Sequence, residues 1–174
     1  MTPFESKTDP SQIPPAAAVC GLFCEACAAF IASQEDPKRL SFLAARMGQT
    51  EEDTYCEGCR SESRSKYCRS CTLFACATER GHAFCGECTE YPCPEFESFR
   101  QERPHRAEIA RDMERIGAAG AQAWVAQARE RYMCPECRTI NSAYDLKCRT
   151  CGHDPSTPFV AEHREAIAER LSRQ

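Results

Sequence analysis

Six Cys-x-x-Cys pairs dominate this chain: Cys24/Cys27, Cys56/Cys59, Cys68/Cys71, Cys85/Cys88, Cys134/Cys137 and Cys148/Cys151, with Cys20, Cys76 and Cys93 as singles. Two thiolates three residues apart can turn inward around one ion while the intervening amides point at the sulfurs. The spacing is therefore an economical way to build a tetrahedral thiolate site. The chain reads as a metalloprotein, and all fifteen cysteines are candidate metal ligands.

A disulfide framework would demand an oxidising compartment and an export signal. Residues 1 to 18 contain Glu5, Lys7, Asp9 and four prolines, with no apolar run of signal-peptide length. No later stretch is long and apolar enough to span a bilayer. The odd cysteine count also argues against full pairing, so the cytoplasm is the expected location.

Composition points to a structural metal. Leu, Ile, Val and Phe number 6, 6, 3 and 9, or 24 of 174 residues, below the roughly 20 per cent under which an unsupported chain tends to disorder. A structural zinc site contributes on the order of 10 to 16 kcal/mol of apparent binding energy, comparable with the whole stability of a domain. Removing the metal is expected to unfold the protein.

The sequence divides into a disordered leader (1–18), a cysteine-rich metal-binding module (19–93), a helical connector (94–131), a zinc ribbon (132–154) and a C-terminal helix (155–174), a small metal-stabilised α+β fold. Within the module, Asp36 as N-cap, Pro37 at the first helical position, apolar Leu40, Leu43, Ala44 and Met47, and Gly48 as the stop predict one helix. In the connector, Ile109, Met113 and Ile116 mark a helical face, Gly117 and Gly120 break it, and Trp124, Val125, Ala128 and Tyr132 resume it.

The module also contains a repeat. Tyr67 to Cys76 (YCRSCTLFAC) aligns 17 residues on with Phe84 to Cys93 (FCGECTEYPC), and Phe23 to Phe30 is a shorter third copy. Repeated units usually bury one face against each other, so their aromatics are expected to form a shared core that shields the metal sulfurs.

The C-terminal spacing is the most specific. Cys134 and Cys137, ten residues, then Cys148 and Cys151 would form two knuckles at the tips of a short hairpin, closing on one Zn²⁺ with every coordination position occupied. Gly152 fits the left-handed conformation wanted just past a knuckle, and Asn141 can cap the connecting turn through its side chain. The stretch from Cys134 to Gly152 resembles the short zinc ribbons widespread in bacteria and is similar in spacing to Ran-binding-protein-type fingers, some of which bind single-stranded RNA or ubiquitin. Tyr132 stands where those fingers carry a tryptophan, Arg138-Thr139 where ubiquitin binders carry Thr-Phe, and Arg138 also where bacterial ribbons usually carry Gly. Neither partner is carried over.

The motifs Cys20-Gly21-Leu22-Phe23-Cys24-Glu25-Ala26-Cys27, Tyr55-Cys56-Glu57-Gly58-Cys59, the Cys68/Cys71/Cys76 unit and Phe84 to Cys93 resemble the family catalogued as domain of unknown function 3795. That family often continues through a helical, Trp-containing stretch into a zinc ribbon, as residues 19 to 152 do here. The resemblance implies an architecture and no mechanism.

Eleven thiolates from Cys20 to Cys93, with His82 as a further candidate, suffice for two or three N-terminal sites beside the one in the ribbon. Paired spacing favours zinc. Cys20/Cys24/Cys27 and the Cys-x-x-Cys-x-x-x-x-Cys units, one followed by Pro94, keep an iron-sulfur cluster open as the alternative. The Cys-x-x-x-Cys-x-x-Cys spacing also occurs in radical S-adenosylmethionine enzymes, but the chain lacks the strands of their large barrel.

No phosphate loop, dinucleotide fingerprint, nucleophile elbow or His-Glu-x-x-His motif occurs. His105 and His163 read as lone surface histidines. The formal charge is −4, and each four-thiolate zinc site adds about −2, which speaks against general nucleic-acid binding. The basic run Arg60, Arg64, Lys66 and Arg69 is interleaved by Glu57 and Glu62 and reads as a solvated loop. These features describe a non-enzymatic zinc-binding module that docks a macromolecular partner, a protein. The alternative is an iron-sulfur redox accessory protein using the N-terminal cysteines.

Overall fold

A computed structural model describes Phe4 and residues 10–173. Its helices are α1 (Ala28–Glu35), α2 (Pro37–Met47), α3 (Glu51–Thr54), α4 (Lys66–Arg69), α5 (Thr72–Glu79), α6 (Pro94–Gln101), α7 (Ile109–Ala119), α8 (Ala121–Tyr132) and α9 (Pro158–Ser172), with short 3-10 turns between them.

The α+β expectation is overturned. Among the described residues there is no strand, only two isolated antiparallel bridges, Ala17 with Phe23 and Met133 with Ile140. The ribbon hairpin is reduced to the second bridge, whose two hydrogen bonds are Cys134 N–H to Thr139 O and Asn141 N–H to Tyr132 O; on the other side Cys148 N–H goes to His153 O inside its own knuckle turn and Arg149 N–H to the Asn141 side chain. The amides of Cys148 and Arg149 are therefore not free to extend a ladder between the knuckles.

Local signals account for the helix ends. Asp36 Oδ1 accepts from the Arg39 N–H at 3.0 Å, Pro37 opens α2, and Gly48 closes it at φ 63°. Thr157 Oγ1 accepts from Val160 N–H at 3.1 Å ahead of Pro158, which starts α9. Gly117 lies inside α7, and the break falls at Gly120 alone, at φ 85°. All three copies of the repeat share one turn, in which the second cysteine's N–H donates to the carbonyl of the first: Cys27 to Cys24, Cys71 to Cys68 and Cys88 to Cys85.

The core is continuous from the N-terminal module to the last helix. Phe23 meets Trp124 edge-on at 6.3 Å between ring centroids and stacks on Tyr132 at 5.9 Å; Tyr132 stacks on Phe159 at 4.8 Å. Trp124, Phe84, Phe96 and Phe159 are fully buried. A chain with few branched aliphatics thus fills its interior with rings, alanines and Met113, each buried Phe contributing about 1.5–3 kcal/mol of transfer free energy. Of the expected leader, residues 1–3 and 5–9 lie outside the described residues, while Ile13 and Ala16 to Ala18 are buried in this core. No helix among the described residues is long and apolar enough to cross a membrane.

Candidate metal centre

Cys134, Cys137, Cys148 and Cys151 converge, their sulfurs all within 4.8 Å of one another. Cys134 Sγ lies 3.6 Å from Cys151 Sγ, and Cys137 Sγ 3.5 Å from Cys148 Sγ. Four sulfurs at Zn–S bonds of ~2.3 Å stand about 3.8 Å apart along the edges of a tetrahedron, so the set is already close to single-ion geometry.

Two equivalent turns produce this arrangement. In the first, Cys134 N–H donates to Thr139 O at 2.9 Å and Arg138 N–H to Cys134 O at 3.0 Å. In the second, Cys148 N–H donates to His153 O at 2.8 Å and Gly152 N–H to Cys148 O at 2.9 Å. Each turn needs a left-handed residue directly after its second cysteine; Gly152 supplies it at φ 77° and Arg138, despite its side chain, at φ 60°.

Asn141, fully buried, ties the two turns together. Its Nδ2 donates to Thr139 O at 2.9 Å and to Cys148 Sγ at 3.6 Å, and its Oδ1 accepts from Arg149 N–H at 2.9 Å. The role expected for Asn141 in the connecting turn is thus observed, with a direct contact to sulfur added.

The sulfurs are prepared to lose protons unequally. Burial opposes ionisation of Cys148, but the backbone N–H groups of Cys151 and Thr150, with Cys137 and Asn141, outweigh it and bring its thiol down to about 6. His153 N–H pulls Cys151 down, yet the neighbouring Cys137, Cys134 and Cys148 sulfurs carry it up to about 12. Crowded sulfurs that compete for a proton in this way favour a divalent cation in its place.

The knuckles are anchored to the N-terminal module. Arg39 pairs with Asp145 at 2.8 Å, Arg149 pairs with Glu35, and Ala143 N–H donates to Ala26 O at 3.4 Å.

The eleven N-terminal cysteines behave differently. Among the described residues, no three of them bring all their sulfurs within 4.8 Å of one another. Cys20 and Cys56 are buried; Cys24, Cys59, Cys68, Cys71, Cys85, Cys88 and Cys93 are half-buried; Cys27 and Cys76 are exposed. Several sulfurs accept backbone amides: Gly58 N–H donates to Cys56 Sγ and Cys59 N–H to Cys24 Sγ, both at 3.4 Å. Arg80 Nη1 donates to Cys88 Sγ at 3.4 Å. His82 stands with its Nδ1 4.0 Å from Glu87 Oε2.

A second convergence is not legible from spacing. Glu108, Glu162 and His163 bring their ligand atoms within 4.8 Å of one another. The Glu108 carboxylate, 5 % exposed, already accepts from Arg131, from Arg111 at 2.8 Å and from His163 Nε2 at 2.8 Å. Two guanidinium groups supply the neutralising charge a metal would bring, so this is an ion network joining α7, α8 and α9. His105, read as a surface residue, is held 2.7 Å from the Tyr144 hydroxyl, and its pKa is lowered to about 3 by burial first and then by Arg106, Arg103 and Arg170.

Neither a curated protein nor a solved structure matches the chain. Residues 16–98, which carry all eleven N-terminal cysteines, match the family described as Protein of unknown function (DUF3795); the knuckles lie beyond the matched stretch.

Proposed function

We propose that this is a non-catalytic zinc-binding protein in which the two knuckles hold one structural Zn²⁺ and the helical body built around them is presented to a partner protein. The carrying observation is the convergence of the four C-terminal sulfurs in two equivalent turns. Four thiolates leave no coordination position for a substrate or an activated water, which favours a structural role over a hydrolytic one. Exposed Phe42 and Met47 on α2, 61 % and 50 % accessible, and the negative formal charge support a protein partner over a nucleic acid.

Elemental analysis of anaerobically purified protein tests the zinc reading. Cys134→Ser or Cys148→Ser should lower zinc by about one equivalent, and Co²⁺ in its place should give the visible bands of a tetrahedral thiolate site. Unchanged zinc in both variants would remove the knuckles from the account.

A redox accessory role for Cys20 to Cys93 is the second reading. It is favoured by one observation: the N-terminal sulfurs do not draw together as a single-ion set while the knuckle sulfurs do.

A further inference from the structure

The end of α6 and the last turns of α9 enclose a cleft of about 370 Å³ that takes no part in the metal chemistry. Four arginines line it, Arg100 and Arg103 from one wall and Arg170 and Arg173 from the other, against two carboxylates, Glu102 and Glu169. In a chain of formal charge −4, an excess of two positive charges is thus gathered in one place.

Both walls are fixed by the core. On α9, Ala166, Arg170 and Arg173 recur at helical spacing and share a face, while Phe159, Val160 and Ile167 hold the helix inside with no exposed surface. The other wall is pinned by Arg106, which is 2 % exposed. Its Nη1 donates to Phe99 O at 2.7 Å, its Nη2 donates to the Tyr67 hydroxyl at 2.6 Å, and its guanidinium lies 3.6 Å over the Phe99 ring. Arg103 stands directly before this anchored 3-10 turn, Pro104–Arg106, in extended backbone.

The four lining arginines are not equivalent. Arg100 pairs with Glu97 at 2.7 Å, Arg173 pairs with Glu169 on its own helix, and Glu102 is taken by Arg106 at 2.8 Å. Both carboxylates of the cleft are thereby committed. The guanidinium groups of Arg103 and Arg170 have no ion-pair or hydrogen-bond partner among the described residues, and Arg170 Nε is closed off from solvent with nothing to donate to. A guanidinium that has already lost part of its hydration gives up less when an anion displaces the rest. Both arginines also act on the same neighbours. After burial and Arg106, they help to hold His105 down to about 3, and they pull down the Tyr144 hydroxyl that burial raises. Two unpaired charges from opposite walls therefore reach one spot, and His105 beside them stays neutral.

We infer that this cleft binds a phosphate dianion, clamped between Arg103 and Arg170. The guanidinium fork matches phosphate oxygens two at a time, and a dianion balances the charge excess of the lining. The volume falls in the range of small-molecule sites, and Pro104, Ala107 and Ala166 add an apolar surface on which the organic part of a phosphate ester can rest. A nucleic acid is the weaker fit, because its backbone needs a basic track and these arginines form one closed patch on a negatively charged chain. The inference goes beyond the zinc reading and does not depend on it.

The test is calorimetric titration of the full-length, zinc-loaded protein with inorganic phosphate and with phenyl phosphate at about pH 8, where a monoester is dianionic. Binding should saturate at one site. Tighter binding of phenyl phosphate would identify an ester seated on the apolar lining, and equal affinity would identify free phosphate; both uphold the clamp. Arg103→Ala and Arg170→Ala should each weaken binding about 10–100-fold, Arg103→Lys should recover only part of the loss, and Arg129→Ala, at an exposed arginine on α8, should change nothing. Zinc content equal to wild type reports that the variants are folded. Phenylglyoxal modification of the wild type, mapped by mass spectrometry, should find Arg103 and Arg170 protected by saturating phosphate, a measurement that needs no variant. Absence of saturable binding, an affinity within twofold of wild type when both arginines are replaced, or equal displacement by chloride at matched ionic strength would overturn the site. A single-stranded oligonucleotide that binds through these arginines far more tightly than either probe would overturn the small-ligand assignment in favour of a nucleic-acid contact.

Discussion

The side-chain amide of Asn141 donates to Cys148 Sγ at 3.6 Å while its Oδ1 holds the Arg149 backbone N–H, so a single uncharged residue from one knuckle sets the position of a sulfur in the other. Removing that amide leaves a buried backbone donor and a thiolate without their partners. Asn141→Ala should cost about 1–3 kcal/mol of stability and weaken zinc binding by about 10–100-fold. Competition against a chromophoric chelator measures the second quantity, and an affinity within twofold of wild type would show that the contact does nothing for the metal.

Arg138 carries the left-handed backbone of the first knuckle at φ 60°, the position filled by Gly152 in the second. A side chain there costs roughly 1–2 kcal/mol in local sterics. The ion pair it forms with Glu130 at 2.9 Å is exposed on both sides and returns little. Arg138→Gly should therefore leave zinc stoichiometry unchanged and raise the thermal midpoint; a clear fall in midpoint would show that the arginine side chain contributes more than its backbone costs.

Glu108 connects α7 to Arg131 and His163. Burial alone would raise its pKa, but hydrogen bonds from Arg131, His163 and Arg111 outweigh burial and hold it at about 2, below its ordinary 4.5. A depressed carboxylate stabilises the folded state above its unfolded pKa, and that contribution fades as pH falls from about 4.5 toward about 2. Glu108→Gln should be less stable than wild type by about 3 kcal/mol at neutral pH, since Arg131 loses its buried carboxylate partner and keeps only the half-exposed Glu162. The gap between the two proteins in denaturant melts should narrow as pH drops through that window. A gap that stays constant with pH would mean that packing, and not charge, carries the effect.

Chelation should act locally before it acts globally. The knuckle residues 133–153 contribute Ala143 and the edges of Ile140, Tyr144 and Leu146 to the core, whereas Phe23, Trp124, Tyr132 and Phe159 meet one another without passing through the four clustered cysteines. On removal of the knuckle zinc under reducing conditions, amide hydrogen exchange should rise first across 133–153 and later in α7 and α8. Simultaneous loss across both regions would show that the metal and the aromatic core form one cooperative unit.

Short-range features were readable from the chain alone. Asp36, Pro37 and Gly48 delimit α2 because capping and backbone freedom act within a few residues, and the two C-terminal pairs converge because ten residues between them suffice for one closed loop. The same local arithmetic misled where long-range competition entered. The hairpin foreseen across the knuckles is reduced to one bridge around the first, since the amides of Cys148 and Arg149 serve the second turn and the Asn141 side chain. Ile13 and Ala16 to Ala18, in a segment that looked unstructured by composition, are buried in the core that residues of the last helices also fill.

What the residue order determined by itself was the supply of sulfur, the local turn of each Cys-x-x-Cys unit and the ends of the main helices, all of which depend on neighbours a few positions apart. What only the tertiary structure decided was the company each group keeps: Cys59 N–H against Cys24 Sγ, Cys85 N–H against Val19 O, and Glu108 beside His163. Those groupings arise when separate segments share one apolar core, and burial is indifferent to distance along the chain.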